Sequence, residues 1–94
     1  VLDLETFNPL AEIIAYPNPV SSNENIEIRI PDEVSISEIR VLDAAGKELA
    51  FIALPEFNNQ NKIRLNDFVS FSQGVYYLRI ANDRHNHLVK LIVL

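Results

Sequence analysis

Apolar and polar residues alternate along most of this chain. Ile26, Ile28 and Ile30 alternate with Glu27 and Arg29, which places the isoleucines on one face of a strand and the charges on the other. Residues 13–16 and five further segments add to the pattern. The same-face sets of those five segments are Ile39 and Val41; Leu49, Phe51 and Ala53; Ile63 and Leu65; Tyr76, Leu78 and Ile80; and Val89, Leu91 and Val93. About seven short strands at this spacing predict an all-β fold, a sandwich or a barrel.

Turn residues separate the predicted strands. Residues 43–46, Asp-Ala-Ala-Gly, are typical of a type I turn with Gly46 in the left-handed position, and Lys47 then opens the return strand. Gly74 can adopt a positive φ directly before the next apolar strand, which then starts sharply. The polar residues 82–86 favour a hairpin loop that joins the last two strands.

Two internal segments lack the alternation of a strand. Residues 55–61 show no apolar periodicity and are interpreted as a loop. Residues 66–71 are expected to form a single helical turn, in which Phe68 and Phe71 close one end of the sandwich. Nothing in the sequence predicts a long helix.

The N-terminal residues differ from the rest of the chain. Asn8 and Pro9 interrupt any strand, and the residues before them have no clear period. We interpret residues 1–12 as a linker from a preceding domain, whose last part pairs on a sheet edge, and residues 13–94 as the β-sandwich. Because the sequence begins with Val, we expect it to have been cut from a longer protein.

Length and composition narrow the function classes. A chain of 94 residues with 48% apolar residues is long enough for one domain with one core. No apolar stretch approaches the roughly 18–20 residues of a membrane-spanning helix. The net charge is −5 and the eight basic residues are scattered, which argues against nucleic-acid binding. The absence of Cys excludes disulfides and thiolate metal sites.

No group of residues in the sequence predicts catalysis or a cofactor. There is no G-x-S-x-G motif, and two glycines are too few for a phosphate-binding loop. The best metal candidate is the pair His85 and His87, which would share one face of a strand, with Asp83 as the one further local ligand. A polar hairpin tip explains the same residues, so we predict no catalytic, cofactor or metal site.

Four ordered segments carry a resemblance to a known family. They are Tyr16-Pro17-Asn18-Pro19-Val20; residues 39–49, which contain Asp43-x-x-Gly46-Lys47; residues 74–80, Gly-Val-Tyr-Tyr-Leu-Arg-Ile; and residues 88–93, Leu-Val-Lys-Leu-Ile-Val. In the first segment the prolines remove backbone donors and favour a stiff, polyproline-like corner at the end of a strand. From about Ala15 to Leu94, the chain resembles the C-terminal sorting domains of the Por (type IX) secretion system of Bacteroidetes.

The resemblance implies a fold, a role and partners. It implies an immunoglobulin-like antiparallel sandwich that directs an upstream cargo domain in the same chain across the outer membrane after passage through the periplasm. The partners implied are the outer-membrane translocon and a sortase-like peptidase, which cuts before Ile13, so that the cargo is secreted or held at the cell surface. The residues implied in recognition are Tyr16, Pro17, Asn18, Pro19, Gly46, Lys47, Gly74, Val75, Tyr76 and Lys90. We expect the terminal strand to be recognised, by strand addition at a sheet edge.

A second hypothesis is an immunoglobulin-like accessory module of a secreted enzyme or adhesin, which binds carbohydrate or separates domains. Exposed aromatic side chains in a row would favour it, because sugar rings stack on aromatic faces. The chain has no Trp and three Tyr, which argues against carbohydrate binding.

Overall fold

The computed structural model describes residues 8–21, 23–53 and 61–94, and in these it contains seven strands and two short 3-10 helices. The strands are β1 Ile14–Tyr16, β2 Glu27–Arg29, β3 Glu38–Asp43, β4 Glu48–Ala53, β5 Lys62–Arg64, β6 Gly74–Ala81 and β7 Asn86–Val93. They form a three-stranded sheet, in the order β1-β2-β5, and a four-stranded sheet, in the order β4-β3-β6-β7. Every strand pair is antiparallel. The predicted all-β, sandwich-type fold is confirmed.

The core lies between the inner faces of the two sheets. Ile28 and Ile63 come from the small sheet, while Ile39, Leu78 and Leu91 come from three neighbouring strands of the large sheet. Every fully buried side chain in the described residues is apolar or aromatic. The alternation in the sequence therefore marks the inner faces of β2, β3, β6 and β7 correctly. The apolar side of each strand turns inwards because burying apolar surface stabilises the fold by about 25 cal/mol per Å².

The edge strand β4 buries the face opposite to the one that the sequence predicts. The sequence pattern groups Leu49, Phe51 and Ala53, but Leu49 and Phe51 are 39% and 48% exposed, whereas Ile52 is buried. The pairing with β3 sets this face, because Ile52 lies opposite the buried Ile39. Alternation could not select a face here, since all residues of β4 after Glu48 are apolar.

The turns predicted at Asp43–Gly46 and at Gly74 are present. Gly46 has φ +89°, its N–H donates to the Asp43 carbonyl oxygen (3.0 Å), and the Asp43 carboxylate accepts from the N–H groups of Ala45 and Lys47. Gly74 begins β6 with φ +153°. A loop connects β6 to β7 as expected, but it covers residues 82–85 rather than 82–86, because Asn86 is already the first residue of β7. The loop predicted at 55–61 lies outside the described residues except for its last position.

The sandwich end near residues 65–71 is closed differently from the prediction. The 3-10 helix covers Leu65–Asp67, one residue earlier than expected, and Leu65 is fully buried. Phe71 packs edge-to-face on Tyr76, with ring centroids 4.9 Å apart. Phe68 is 42% exposed, so Leu65 rather than Phe68 closes this end together with Phe71.

Part of the predicted linker packs against the sandwich. Asn8 caps the 3-10 helix Pro9–Glu12, because its side chain accepts a hydrogen bond from the Leu10 N–H (3.0 Å). Leu10 has no exposed surface, and the Asn8 amide also donates to the Asn86 carbonyl oxygen (2.7 Å) at the start of β7. Residues 8–12 are thus tied to the fold, whereas residues 1–7 lie outside the described residues.

Candidate recognition surface

The Tyr16–Val20 segment carries the chain from the small sheet to the edge of the large sheet. It follows β1, and its Val20 forms an isolated parallel bridge with Val93 of β7. Both peptide bonds before the prolines are cis, which differs from the polyproline-like conformation that the sequence suggests. The segment is nevertheless a corner, as predicted, and it ends against the last strand.

The side chain of Asn18 binds the backbone of β7 in the way that a neighbouring strand would. Its Nδ2 donates to the Lys90 carbonyl oxygen (2.8 Å), and its Oδ1 accepts from the Ile92 N–H (3.1 Å). An amide side chain has the same donor and acceptor as a peptide group, so Asn can replace one rung of a ladder. Asn18 therefore fixes the corner to the terminal strand.

The backbone of Val20 continues this pairing. The Val20 N–H donates to the Ile92 carbonyl oxygen (2.9 Å), and its carbonyl accepts from the Leu94 N–H (2.8 Å). Val20 and Val93 are both buried. Asn18 and Val20 together therefore bind four consecutive backbone groups on the outer edge of β7. These are the Lys90 carbonyl, the N–H and carbonyl of Ile92, and the Leu94 N–H.

The motifs of the sequence come together at one end of the four-stranded sheet. Gly74 lies opposite Val93 in the β6–β7 pair, and Val93 in turn bridges Val20. Two residue pairs further along the sheet, Tyr76 lies between Asp43 and Leu91. The turn after Asp43, which holds Gly46 and Lys47, therefore points towards the same end as Gly74 and the Val20 bridge.

Within this group, Tyr76 is a packing residue and Lys90 is a surface residue. The Tyr76 ring is buried, and its hydroxyl donates to the Ser72 carbonyl oxygen (2.8 Å) and accepts from the Ser72 N–H (3.1 Å). Tyr77, its neighbour, lies half-buried on the outer face, opposite Lys90. The side chains available to a partner are thus those of Lys90 and the corner, not the ring of Tyr76.

Charge on the outer face of the large sheet is distributed unevenly. Arg40 binds Glu38 (2.9 Å) and Glu48 (2.6 Å) and lies over the Phe51 ring, and the hydrogen bonds to these carboxylates raise the pKa of Arg40. In contrast, Lys90 forms no ion pair with any carboxylate of the described residues. The β7 side of this face therefore carries positive charge that no carboxylate of the described residues neutralises.

The exposed aromatic residues do not form a row. Tyr16 lies on β1, Phe51 on β4 and Phe68 in the turn after the second 3-10 helix. Two of these rings are already stacked against cations, Tyr16 under Arg29 (4.2 Å) and Phe51 under Arg40 (4.5 Å). The described residues thus offer no shared aromatic platform for a sugar.

The histidine pair lies at the last hairpin. His85 belongs to the loop, where its N–H donates to the Asn82 side chain, and His87 lies on β7 opposite Ile80. Within residues 8–21, 23–53 and 61–94, no three His, Cys, Asp or Glu side chains come together as a metal site. In the same residues, no helix is long and apolar enough to cross a membrane.

Comparison with known proteins places the chain in a family. The sequence model of the secretion system C-terminal sorting domain matches residues 14–94. No curated protein sequence matches the chain. Among solved structures, the fold is similar to part of PorZ, an essential bacterial surface component of the type-IX secretion system of Porphyromonas gingivalis, with 17% identity and a TM-score of 0.70. That match covers 92% of this chain and 12% of PorZ.

The chain belongs to the secretion system C-terminal sorting domain family, and its function is that of a sorting signal for type IX secretion. The family consists of sorting signals and is not catalytic. Such a signal acts through the sorting machinery and leads to secretion or to display at the cell surface. The fold and the function predicted from the sequence are therefore confirmed.

Proposed function

We propose that the domain is recognised through the end of its four-stranded sheet where the corner, the β3–β4 turn, the start of β6 and the end of β7 meet. The observation that carries this proposal is the pair of hydrogen bonds between the Asn18 amide and the β7 backbone, donated to the Lys90 carbonyl and accepted from the Ile92 N–H. These bonds join two motifs more than seventy positions apart in the sequence into one surface. A receptor that binds this surface would contact both motifs at once.

The partners in this proposal are the outer-membrane translocon and a sortase-like peptidase. The domain passes through the periplasm with its cargo, binds the translocon, and is removed after export. The packing of residues 8–13 bears on the cut, because a peptidase needs an accessible, extended backbone. Since Leu10 and Ile13 are buried in the same core, cleavage of the folded domain occurs upstream of Asn8.

A secretion assay tests the proposal. A fluorescent protein with an export signal is fused to residues 1–94 and produced in a bacterium that has type IX secretion. A copy without residues 88–94 tests the need for the last strand, and a Lys90→Ala copy removes one exposed charge while the core stays intact. We expect fluorescence outside the cell for the full domain, retention in the periplasm for the copy without residues 88–94, and reduced export for the Lys90→Ala copy.

A matched control separates recognition from a general effect of charge. Lys62 is also exposed on a strand, but it lies on β5 of the other sheet. Lys62→Ala should leave export unchanged. Equal loss of export from Lys62→Ala and Lys90→Ala would contradict the proposed surface, and normal export of the copy without residues 88–94 would contradict any role of the terminal strand.

A further inference from the structure

The outer edge of β7 is the place where the large sheet ends. β7 pairs with β6 on one side only, because it is the last strand in the order β4-β3-β6-β7. In an antiparallel pair, alternate residues direct both backbone groups to the partner strand, and the residues between them direct theirs outwards. Ile92 uses both its groups to bind the corner, so the even-numbered residues of β7 are the outward ones.

The corner covers only part of this edge. The Lys90 carbonyl, both groups of Ile92 and the Leu94 N–H are bound by Asn18 and Val20. Towards the hairpin, the N–H and C=O of Leu88 and the N–H of Lys90 bind no group of the described residues. The Asn86 carbonyl, beyond them, is bound by Asn8. Within the described residues, a short window of backbone donors and acceptors without a partner is thus bounded by two asparagine side chains.

We propose that the outer edge of β7 takes up an extended strand of the partner protein, and that Asn18–Val20 is a removable cover which occupies part of that edge in the free domain. The inference rests on the proposed function and names how its surface is used. Edge strands bind extended segments through backbone hydrogen bonds. The cover itself shows which ligand the edge accepts, because Val20 already pairs with Val93 as a short parallel strand.

The chemistry of the partner follows from the edge. Most of the binding comes from main-chain groups, so the partner supplies an extended backbone that runs parallel to β7 and adds to the sheet at Leu88 and Lys90. Leu88 is 55% exposed, which favours an apolar side chain next to it. Strand addition starts at the free window and extends along β7 as Asn18 and Val20 are displaced.

A disulfide lock tests whether the cover must leave. The chain has no Cys, so a double variant Val20→Cys/Val93→Cys can form only one disulfide within the domain. Val20 and Val93 already form a parallel β-bridge, so their Cα atoms have the spacing of adjacent strands, about 4.8 Å. This spacing lies within the range of Cα distances found in disulfides. The disulfide forms in the oxidising periplasm. Thiol labelling of the fusion recovered from the periplasm or from outside the cell then shows whether the disulfide is present.

We expect the locked fusion to be retained in the periplasm to the same extent as the copy without residues 88–94. Two controls should be exported like the unaltered domain: each single Cys variant, and the double variant Ile28→Cys/Ile63→Cys, which locks a buried pair of the small sheet. Export of the locked fusion at the unaltered level would overturn the inference but leave the sorting function intact. Failure of the unaltered fusion to be exported would instead overturn the proposed function, and the inference with it.

Amide exchange of the unaltered chain gives a test that needs no variant to fold. If the cover is removable, the Ile92 and Leu94 amides exchange more slowly than the Leu88 amide, but faster than the core amide of Leu78, because they open without global unfolding. If they exchange only as slowly as Leu78, the cover does not open on its own and the inference is wrong. If they exchange as fast as Leu88, there is no cover to remove, which also contradicts it.

Discussion

Replacing Asn18 by Ala removes the contact that fixes the corner to the terminal strand. The variant loses the donor to the Lys90 carbonyl and the acceptor for the Ile92 N–H, while the backbone pairing of Val20 remains. A hydrogen bond contributes about 0.5–1.5 kcal/mol net to the free energy of unfolding. Because Asn18 is exposed, we use the lower part of that range, which gives about 1–2 kcal/mol for the two bonds. A domain of this size has a total stability of roughly 5–14 kcal/mol, so the loss is measurable but does not unfold it.

Urea denaturation of the purified chain measures the loss directly. With a slope of about 1 kcal/mol per M, the midpoint for Asn18→Ala should fall by about 1–2 M, with the slope unchanged. Asn25→Ala is the matched control, since Asn25 is an exposed asparagine whose side chain binds only Arg64 (3.0 Å) among the described residues. The reasoning is refuted if Asn18→Ala and Asn25→Ala have the same midpoint, because the corner would then be held without the amide.

Three further substitutions test separate parts of the fold by the same denaturation measurement. Leu10→Ala should destabilise the domain by about 2–4 kcal/mol, since Leu10 is fully buried, while Glu12→Ala should have little effect; equal effects would show that residues 8–12 do not belong to the core. Gly46→Ala should cost about 1 kcal/mol or more, because its φ of +89° is unfavourable for Ala although the site has open space, and a neutral result would contradict the turn geometry. Tyr76→Phe should cost about 1–2 kcal/mol, because the ring packing stays but the Ser72 groups lose their partner; an unchanged midpoint would contradict the assigned hydrogen bonds.

The strands that could be predicted are those whose two faces differ in polarity. In β2, the isoleucines alternate with Glu27 and Arg29, and the buried face follows from that contrast. In β4 the contrast is absent, so the sequence indicates a strand but not its inward face. The face depends on the register with β3, which is a tertiary property and leaves no periodic signal in β4 itself.

The sequence indicates which residues form the recognition surface, but not how those residues contact one another. The motif residues Tyr16–Val20 and Lys90 were identified from their resemblance to a family, but nothing local shows that the Asn18 amide binds a strand 72 positions away. Leu10 was missed for a related reason. A helix of four residues is too short for apolar periodicity, and the only local signals were the Asn8 cap and the proline after it.

The central claim is that the folded domain itself carries the sorting information. The most direct measurement is the export of a fluorescent cargo fused to residues 8–94, compared with a fusion to residues 1–94, with protease resistance of each fusion checked in parallel. The account predicts that both fusions fold and reach the cell surface or medium equally well, because Asn8 is tied to the Asn86 carbonyl and the recognition surface as described is built from residues after it. A fusion to residues 8–94 that is folded but retained in the periplasm, while the fusion to residues 1–94 is exported, would contradict it.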